Sequence, residues 1–169
     1  MNMNIRNWLK NRKSVEKSFN DYLSKGMLRE ENDLSLSFLH IKRARLDIEF
    51  SGYVIEDKVE HIHWGIVSSY YGAYHSAMAL LSSKGYSSKS HIATICALIH
   101  LFYESGLSED DILKLHKLNE NSITNFDELK EKREMANYSV ANDFEVIVAK
   151  RARENAMDFI NKVEEILEK

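Results

Sequence analysis

The 169-residue sequence predicts an all-α protein, an up-and-down antiparallel helical bundle with an additional N-terminal helix. Three observations carry that expectation. The chain has no Pro and only six Gly, so the residues that punctuate turn-rich β folds are scarce. Apolar residues recur three and four positions apart through most of its length. The breaks between such stretches are short, which favours antiparallel neighbours.

A hydrophobic fraction of 44% suffices for one core, so a single domain is expected over 1–169, comprising an N-terminal helical extension at 1–27 and a bundle at 33–167. The first helix is expected from Ile5 to Leu23, with Ile5, Trp8, Leu9, Val15, Phe19 and Tyr22 on one stripe and "KGM" at 25–27 ending it. A second, from about Asp33 to Phe50, aligns Leu34, Phe38, Ile41, Ala44 and Ile48. Arg45 falls near that stripe and is expected to snorkel to solvent.

The third helix, from about Asp57 to Lys84, opens with Asp57 as a cap and Glu60 three residues on, and closes at Gly85. Its body "VEHIHWGIVSSYYGAYHSAMALLSS" is apolar, aromatic or small nearly all round, as expected of a helix buried on more than one side. Gly65, Ser69, Gly72 and Ser76 begin a stripe of small residues along it. Two helical Gly cost about 1 kcal/mol each relative to Ala, so close approach of another helix, in the bundle or across a dimer, is the expected compensation.

A fourth helix follows from Ser90 to Glu104, stopped by Gly106. Ser108 caps a fifth, with Glu109, Asp110 and Asp111 opposing the positive end of its dipole. Thr124 with Asp127 is a candidate start for the segment holding Arg133. Asn142 with Glu145 is one for the last helix, which carries Val148, Ala152, Ala156, Phe159, Val163 and Ile166.

Composition narrows the function. A net charge of −3 argues against a general nucleic-acid binder, although residues 1–25 carry a net +4 that either solvates a helix face or contacts phosphate. The single cysteine, Cys96, rules out an internal disulfide and a multi-cysteine zinc site. No uninterrupted run of about eighteen apolar residues is present, and the charged N-terminus does not read as a secretory signal. A cytoplasmic protein with no membrane association is expected. His61 and His63 are two apart and cannot share a helix face, and His40, His100 and His116 lack metal-ligand spacing, so neither metal nor cofactor is expected.

The stretch "KREMANYSV" at 132–140 sets Arg133 before Asn137 and Tyr138. With "YYGAYHSAMALLSSKGYSSKSHIATICALIHLFYESGLSEDDILKLHKL" and the long final helix, it resembles the HEPN family, the higher eukaryote and prokaryote nucleotide-binding domains, over roughly 33–167. The likeness rests on Tyr70, Tyr71 and His75, on "ALLSSKG", on "SH" opening the next helix, and on Arg133 followed by "ANY", the form of the branch with an R-x-x-A-[DN]-Y motif. It implies a helical bundle that commonly forms a homodimer, toxin-antitoxin or RNA-directed defence settings, and a nucleotidyltransferase as antitoxin partner. Active relatives resemble metal-independent ribonucleases that use an Arg and a His a few residues apart. Here Tyr138, Ser139 and Val140 occupy the histidine's ground.

Arg133 suits phosphate because its fork stays charged, and for the same reason it moves no proton. Tyr138, with an ordinary pKa of about 10, is a poor base at neutral pH. His75, one turn after Tyr71, is the best substitute histidine. The catalytic candidates are therefore Arg133, Asn137, Tyr138 and His75, beside an RNA- or nucleotide-binding set of Tyr71, His91, Lys132, Arg151 and Arg153. Each has a structural alternative: an ion pair for Arg133, a turn anchor for Tyr138, a buried hydrogen-bonded ring for His75, the ordering of the 85–90 turn for His91.

Overall fold

The computed structural model describes residues 3–103, 105–132 and 141–169, with the backbone alone described at residue 3 and over 121–132 and 141–145. Among them run α1 (Met3–Lys10), α2 (Arg12–Ser24), β1 (Leu28–Glu30), α3 (Leu36–Asp57), a single 3-10 turn (Val59–His61), α4 (Ile62–Ser83), β2 (Tyr86–Ser88), α5 (His91–Phe102), α6 (Glu109–Lys132) and α7 (Ala141–Leu167). The fold is an all-α bundle with one small ribbon.

The expected first helix is two. Asn11 leaves the helical region, and its side chain accepts a hydrogen bond from the Ser14 amide, so it caps α2 and breaks the run after Lys10. This end packs into the bundle. Ile5, Trp8, Val15 and Phe19 are buried in the same apolar cluster as the bundle residues, and the Trp8 indole donates to Ser18 Oγ at 3.0 Å.

Gly26 and Gly85 both adopt positive φ, where a side chain would be strained, and each turns a helix end into a short strand. The two strands pair antiparallel, Leu28 with Ser88 and Glu30 with Tyr86. Helical periodicity could not reveal this ribbon, because three-residue strands carry almost no pattern.

α3 and α4 lie antiparallel, with Ser37 donating to the Ala79 carbonyl at one end and Ser51 donating to the Gly65 carbonyl nearer the other. Asp57 is the last residue of α3 and does not cap α4, which starts only after the 3-10 turn. α7 runs antiparallel to α3. Arg45 donates from Nε to Glu164 Oε1 at 3.0 Å and from Nη2 to Asn161 Oδ1 at 2.8 Å, with a second bond to Glu164 Oε2, so it straps the two helices rather than snorkelling. Arg153 does the same from the other side, donating to the Ile48 carbonyl at 3.3 Å across Gly52, where a Cβ would stand 3.0 Å from its guanidinium.

The core gathers Leu80 and Leu81 of α4, Leu98 of α5, Ile112 and Leu115 of α6, and Phe159 and Ile160 of α7. Each fully buried side chain of this size contributes about 1.5–3 kcal/mol. The expected α3 stripe is only half right. Ala44 and Ile48 are buried, whereas Phe38 is 72% exposed and Leu34 is exposed ahead of the helix.

Ser108 caps α6 as expected. Its Oγ and amide both meet Asp111 Oδ2, and the Asp111 amide returns a bond to Ser108 Oγ. α6 continues unbroken to Lys132, so no new helix begins at Thr124. No helix among the described residues is long and apolar enough to cross a membrane.

Candidate functional site

α4 carries most of the candidate chemistry, and its small residues explain how it meets α3. Ser51 donates to the Gly65 carbonyl at 2.8 Å, Ser69 donates to that same carbonyl at 2.8 Å, and Ser68 donates to the Asp47 carbonyl at 2.7 Å. A Cβ on Gly72 would stand 3.2 Å from the Ala44 carbonyl oxygen, and one on Gly65 would stand 2.9 Å from Ile55 Cγ1. Gly65, Ser69 and Gly72 thus line the contact of α4 with α3 of the same chain. Ser76 is buried farther along the helix, bonded to the Ala73 carbonyl at 2.7 Å.

The close approach brings two histidines together. His40 of α3 and His75 of α4 face each other with their Nδ1 atoms 3.2 Å apart and their rings stacked at 5.4 Å between centroids. Behind them His75 Nε2 lies 3.9 Å from Asp47 Oδ2, while Arg43 holds Asp47 Oδ1 at 3.0 Å. Asp47 is buried, and its Oδ2 has no hydrogen-bond partner among the described residues.

Burial lowers the pKa of His40, and His75 lowers it further. Burial also lowers that of His75, with Arg43 adding to the effect. Burial raises the Asp47 carboxyl against the opposing pull of Arg43. An Nδ1 to Nδ1 bond needs one ring to donate and the other to accept, so at least one imidazole is neutral. The group is therefore an acid–base pair backed by a carboxylate and a cation, half open to solvent.

A second cluster is more enclosed. The Tyr70 hydroxyl lies 3.5 Å from His91 Nδ1, Tyr74 stacks on His91 at 6.4 Å, and His91 stacks on His116 at 6.1 Å. Burial, helped by His116, pushes His91 down to about 4, and burial raises Tyr70. His91 is thus neutral at pH 7 and offers phosphate no charge. His116 Nε2 comes within 3.3 Å of Glu120 Oε1 without hydrogen-bond alignment.

Of the remaining candidates, Tyr71 is exposed one turn from His75, and Arg151 faces solvent. Arg153 is half-buried and donates from Nε to the Ile48 carbonyl at 3.3 Å. Lys132 ends α6, with its side chain outside the described residues, and Arg133, Asn137 and Tyr138 lie outside them altogether.

The sequence model of the HEPN domain matches residues 39–169, from α3 to the C-terminus. The chain belongs to the HEPN domain family. HEPN domains are generally associated with RNA or nucleotides, often in toxin or defence systems. No curated protein matches this HEPN chain.

The HEPN match takes in both histidine clusters and the Arg133 segment, and the helix register sets the His40–His75 pair far from the start of α7. Gly72 packs on Ile160, and α7 begins at Ala141, so the level of His75 lies at least about 28 Å along the bundle from the start of α7 at 1.5 Å per residue. Within one chain His75 does not stand beside the end of α7 that follows the motif. Sequence reasoning missed His40 as its partner because the two are 35 positions apart and no local spacing links them.

Proposed function

We propose that this HEPN chain binds RNA through the segment that joins α6 to α7, with Arg133 as the phosphate contact, in a toxin-antitoxin or RNA-directed defence setting in the cytoplasm. The observation that carries the reading is the HEPN match over 39–169 together with Arg133-Glu-Met-Ala136-Asn137-Tyr138 between Lys132, the last residue of α6, and Ala141, the first of α7. Chemistry supports it. Arg presents an always-charged fork matched to phosphate.

Cleavage would also need a group to take the 2′-hydroxyl proton and one to protonate the leaving oxygen. Tyr138, Ser139 and Val140 follow Arg133 with no histidine, and the His40–His75 pair lies far along the bundle from the start of α7. The reading is therefore RNA binding first, with cleavage dependent on groups supplied from outside the motif.

The experiment is RNA binding by fluorescence anisotropy at two salt concentrations, with cleavage followed on the same tRNA and mRNA. Arg133→Ala is expected to weaken binding about tenfold and to flatten its salt dependence, the result of losing one charge-assisted phosphate contact. His75→Ala is expected to bind normally. Equal affinity of wild type and Arg133→Ala would remove the reading.

The absence of His at 138–140 also favours a second reading, a non-catalytic nucleotide-binding or nucleotidyltransferase-partner module. A nucleotide thermal-shift screen and a pull-down against a neighbouring nucleotidyltransferase test it. It fails if neither yields a ligand or a partner.

A further inference from the structure

The charge of the chain is divided. Residues 1–25 carry a net +4 against −3 for the whole chain, which leaves −7 on residues 26–169, and such an asymmetry points to a charged partner. The HEPN match begins at residue 39, so α1 and α2 lie outside it. Their apolar side is used inside the protein, where Ile5, Trp8, Val15 and Phe19 are buried and Cys96 Sγ of α5 lies 3.7 Å from the Val15 carbonyl oxygen. The other side is exposed and basic. Arg6 and Lys10 stand one turn apart on α1, Arg12 and Lys13 follow the break at Asn11, and Lys17 comes one turn farther along α2.

For the helices alone these are poor positions for cations. Arg6 with Lys10, and Lys13 with Lys17, are like charges four residues apart, an arrangement that destabilises a helix. Arg12 and Lys13 also occupy the first turn of α2, at the positive end of its dipole, and that turn holds no acid. Glu16 and Asp21 follow Arg12 and Lys17 by four residues, the weaker order for a helical pair, and among the described residues no ion pair joins them. The cations are thus kept against the interest of the helices that carry them, and departures of this kind from local rules mark function.

We propose that the basic face of α1 and α2 is a second RNA-binding surface, which holds the sugar–phosphate backbone without reading the bases. The lack of apolar anchors selects the occupant. No large apolar side chain is exposed between residues 4 and 25, whereas a protein partner needs anchors to bury and a membrane needs side chains to insert. A polyanion needs neither, because its affinity comes from the counterions released at each neutralised phosphate. Asn20, exposed one turn after Lys17, adds an amide donor for the backbone. The negative charge of the remaining chain repels RNA elsewhere and turns it toward this face. The surface adds to the Arg133 contact and does not depend on it.

Fluorescence anisotropy of the full chain with two single-stranded RNA oligonucleotides of unrelated sequence, at two salt concentrations, tests the proposal. Lys13→Gln/Lys17→Gln is expected to weaken both complexes at least about fivefold. It should reduce the slope of log affinity against log salt by about 1.4, at about 0.7 per single-strand phosphate contact. Lys13→Arg/Lys17→Arg keeps the charge, and Lys117→Gln/Lys169→Gln removes the same charge from exposed sites elsewhere; both are expected to stay within about twofold of wild type. Because Lys13→Gln/Lys17→Gln takes like charges off one helix face, its urea midpoint is expected to be no lower than that of wild type. Vesicles of phosphatidylserine and phosphatidylcholine are expected to bind neither protein. Wild-type affinity in Lys13→Gln/Lys17→Gln, an equal loss in Lys117→Gln/Lys169→Gln, or a lowered urea midpoint would overturn the proposal. So would vesicle binding that Lys13→Gln/Lys17→Gln abolishes while RNA binding stays intact, which would assign the face to lipid. Arg133→Ala in the same assay separates the two surfaces: if it binds normally while Lys13→Gln/Lys17→Gln does not, the Arg133 reading fails and this one stands.

Discussion

His40 and His75, on different helices and 35 residues apart in sequence, bring their Nδ1 atoms to 3.2 Å beside a buried Asp47 that Arg43 holds in place. The pair shares one proton site between two rings. Part of the depression of His40 comes from His75 and part from burial.

Replacing His75 should therefore let His40 titrate at higher pH. In His75→Gln the neighbouring ring's charge is gone while the burial largely remains, so the His40 pKa is expected to rise without reaching that of a free imidazole. Two-dimensional 15N NMR of the imidazoles reads this directly. A His40 titration unchanged by His75→Gln would show that the two rings do not interact.

The buried His91 makes stability depend on acid. Its pKa falls from 6.5 to about 4 on folding, chiefly through burial, so between those values the unfolded chain binds a proton that the folded chain does not. This contribution is fully present above about 6.5 and is lost as pH falls toward 4. Urea unfolding across that window should show stability falling with pH, and His91→Gln should have the shallower slope. Equal slopes would mean that His91 is not the group responsible.

Gly72 faces the Ala44 carbonyl so closely that no side chain fits without moving backbone. Gly72→Leu is expected to cost about 1–3 kcal/mol in chemical denaturation, the usual penalty for overpacking. A variant as stable as wild type would show that α3 and α4 part easily.

Arg45 and Glu164 join α3 to α7 by two hydrogen bonds, with Asn161 adding a third. Both side chains are partly solvent-exposed, so a double-mutant cycle of Arg45→Ala and Glu164→Ala should give a coupling of only about 1 kcal/mol, reduced by salt. A coupling near zero would make the strap incidental.

Signals confined to one turn of chain were legible without coordinates. The Ser108 cap with Asp111, the turns at Gly26 and Gly85, and the burial of α4 on more than one side rest on neighbours three or four residues away, and each is found in place. Where two local signals competed, the reading failed. Asn11 broke a continuous apolar stripe because its side chain satisfied the Ser14 amide. Asp57 looked like a cap but completed the helix before it.

The sequence alone determined the all-α class, the central helix and the family the chain resembles, since periodicity, capping residues and the order of motifs are written along the chain. It could not choose which face of α3 is buried, because Ala44 and Ile48 on one side and Leu46 and Phe50 on the other are both apolar, and only the positions of α4 and α7 decide. The tertiary structure alone also joined His40 to His75, set Arg153 on the carbonyl of Ile48 and gave Arg45 its acid on α7. Those contacts join residues 35 to 119 positions apart, a separation over which no local spacing reports.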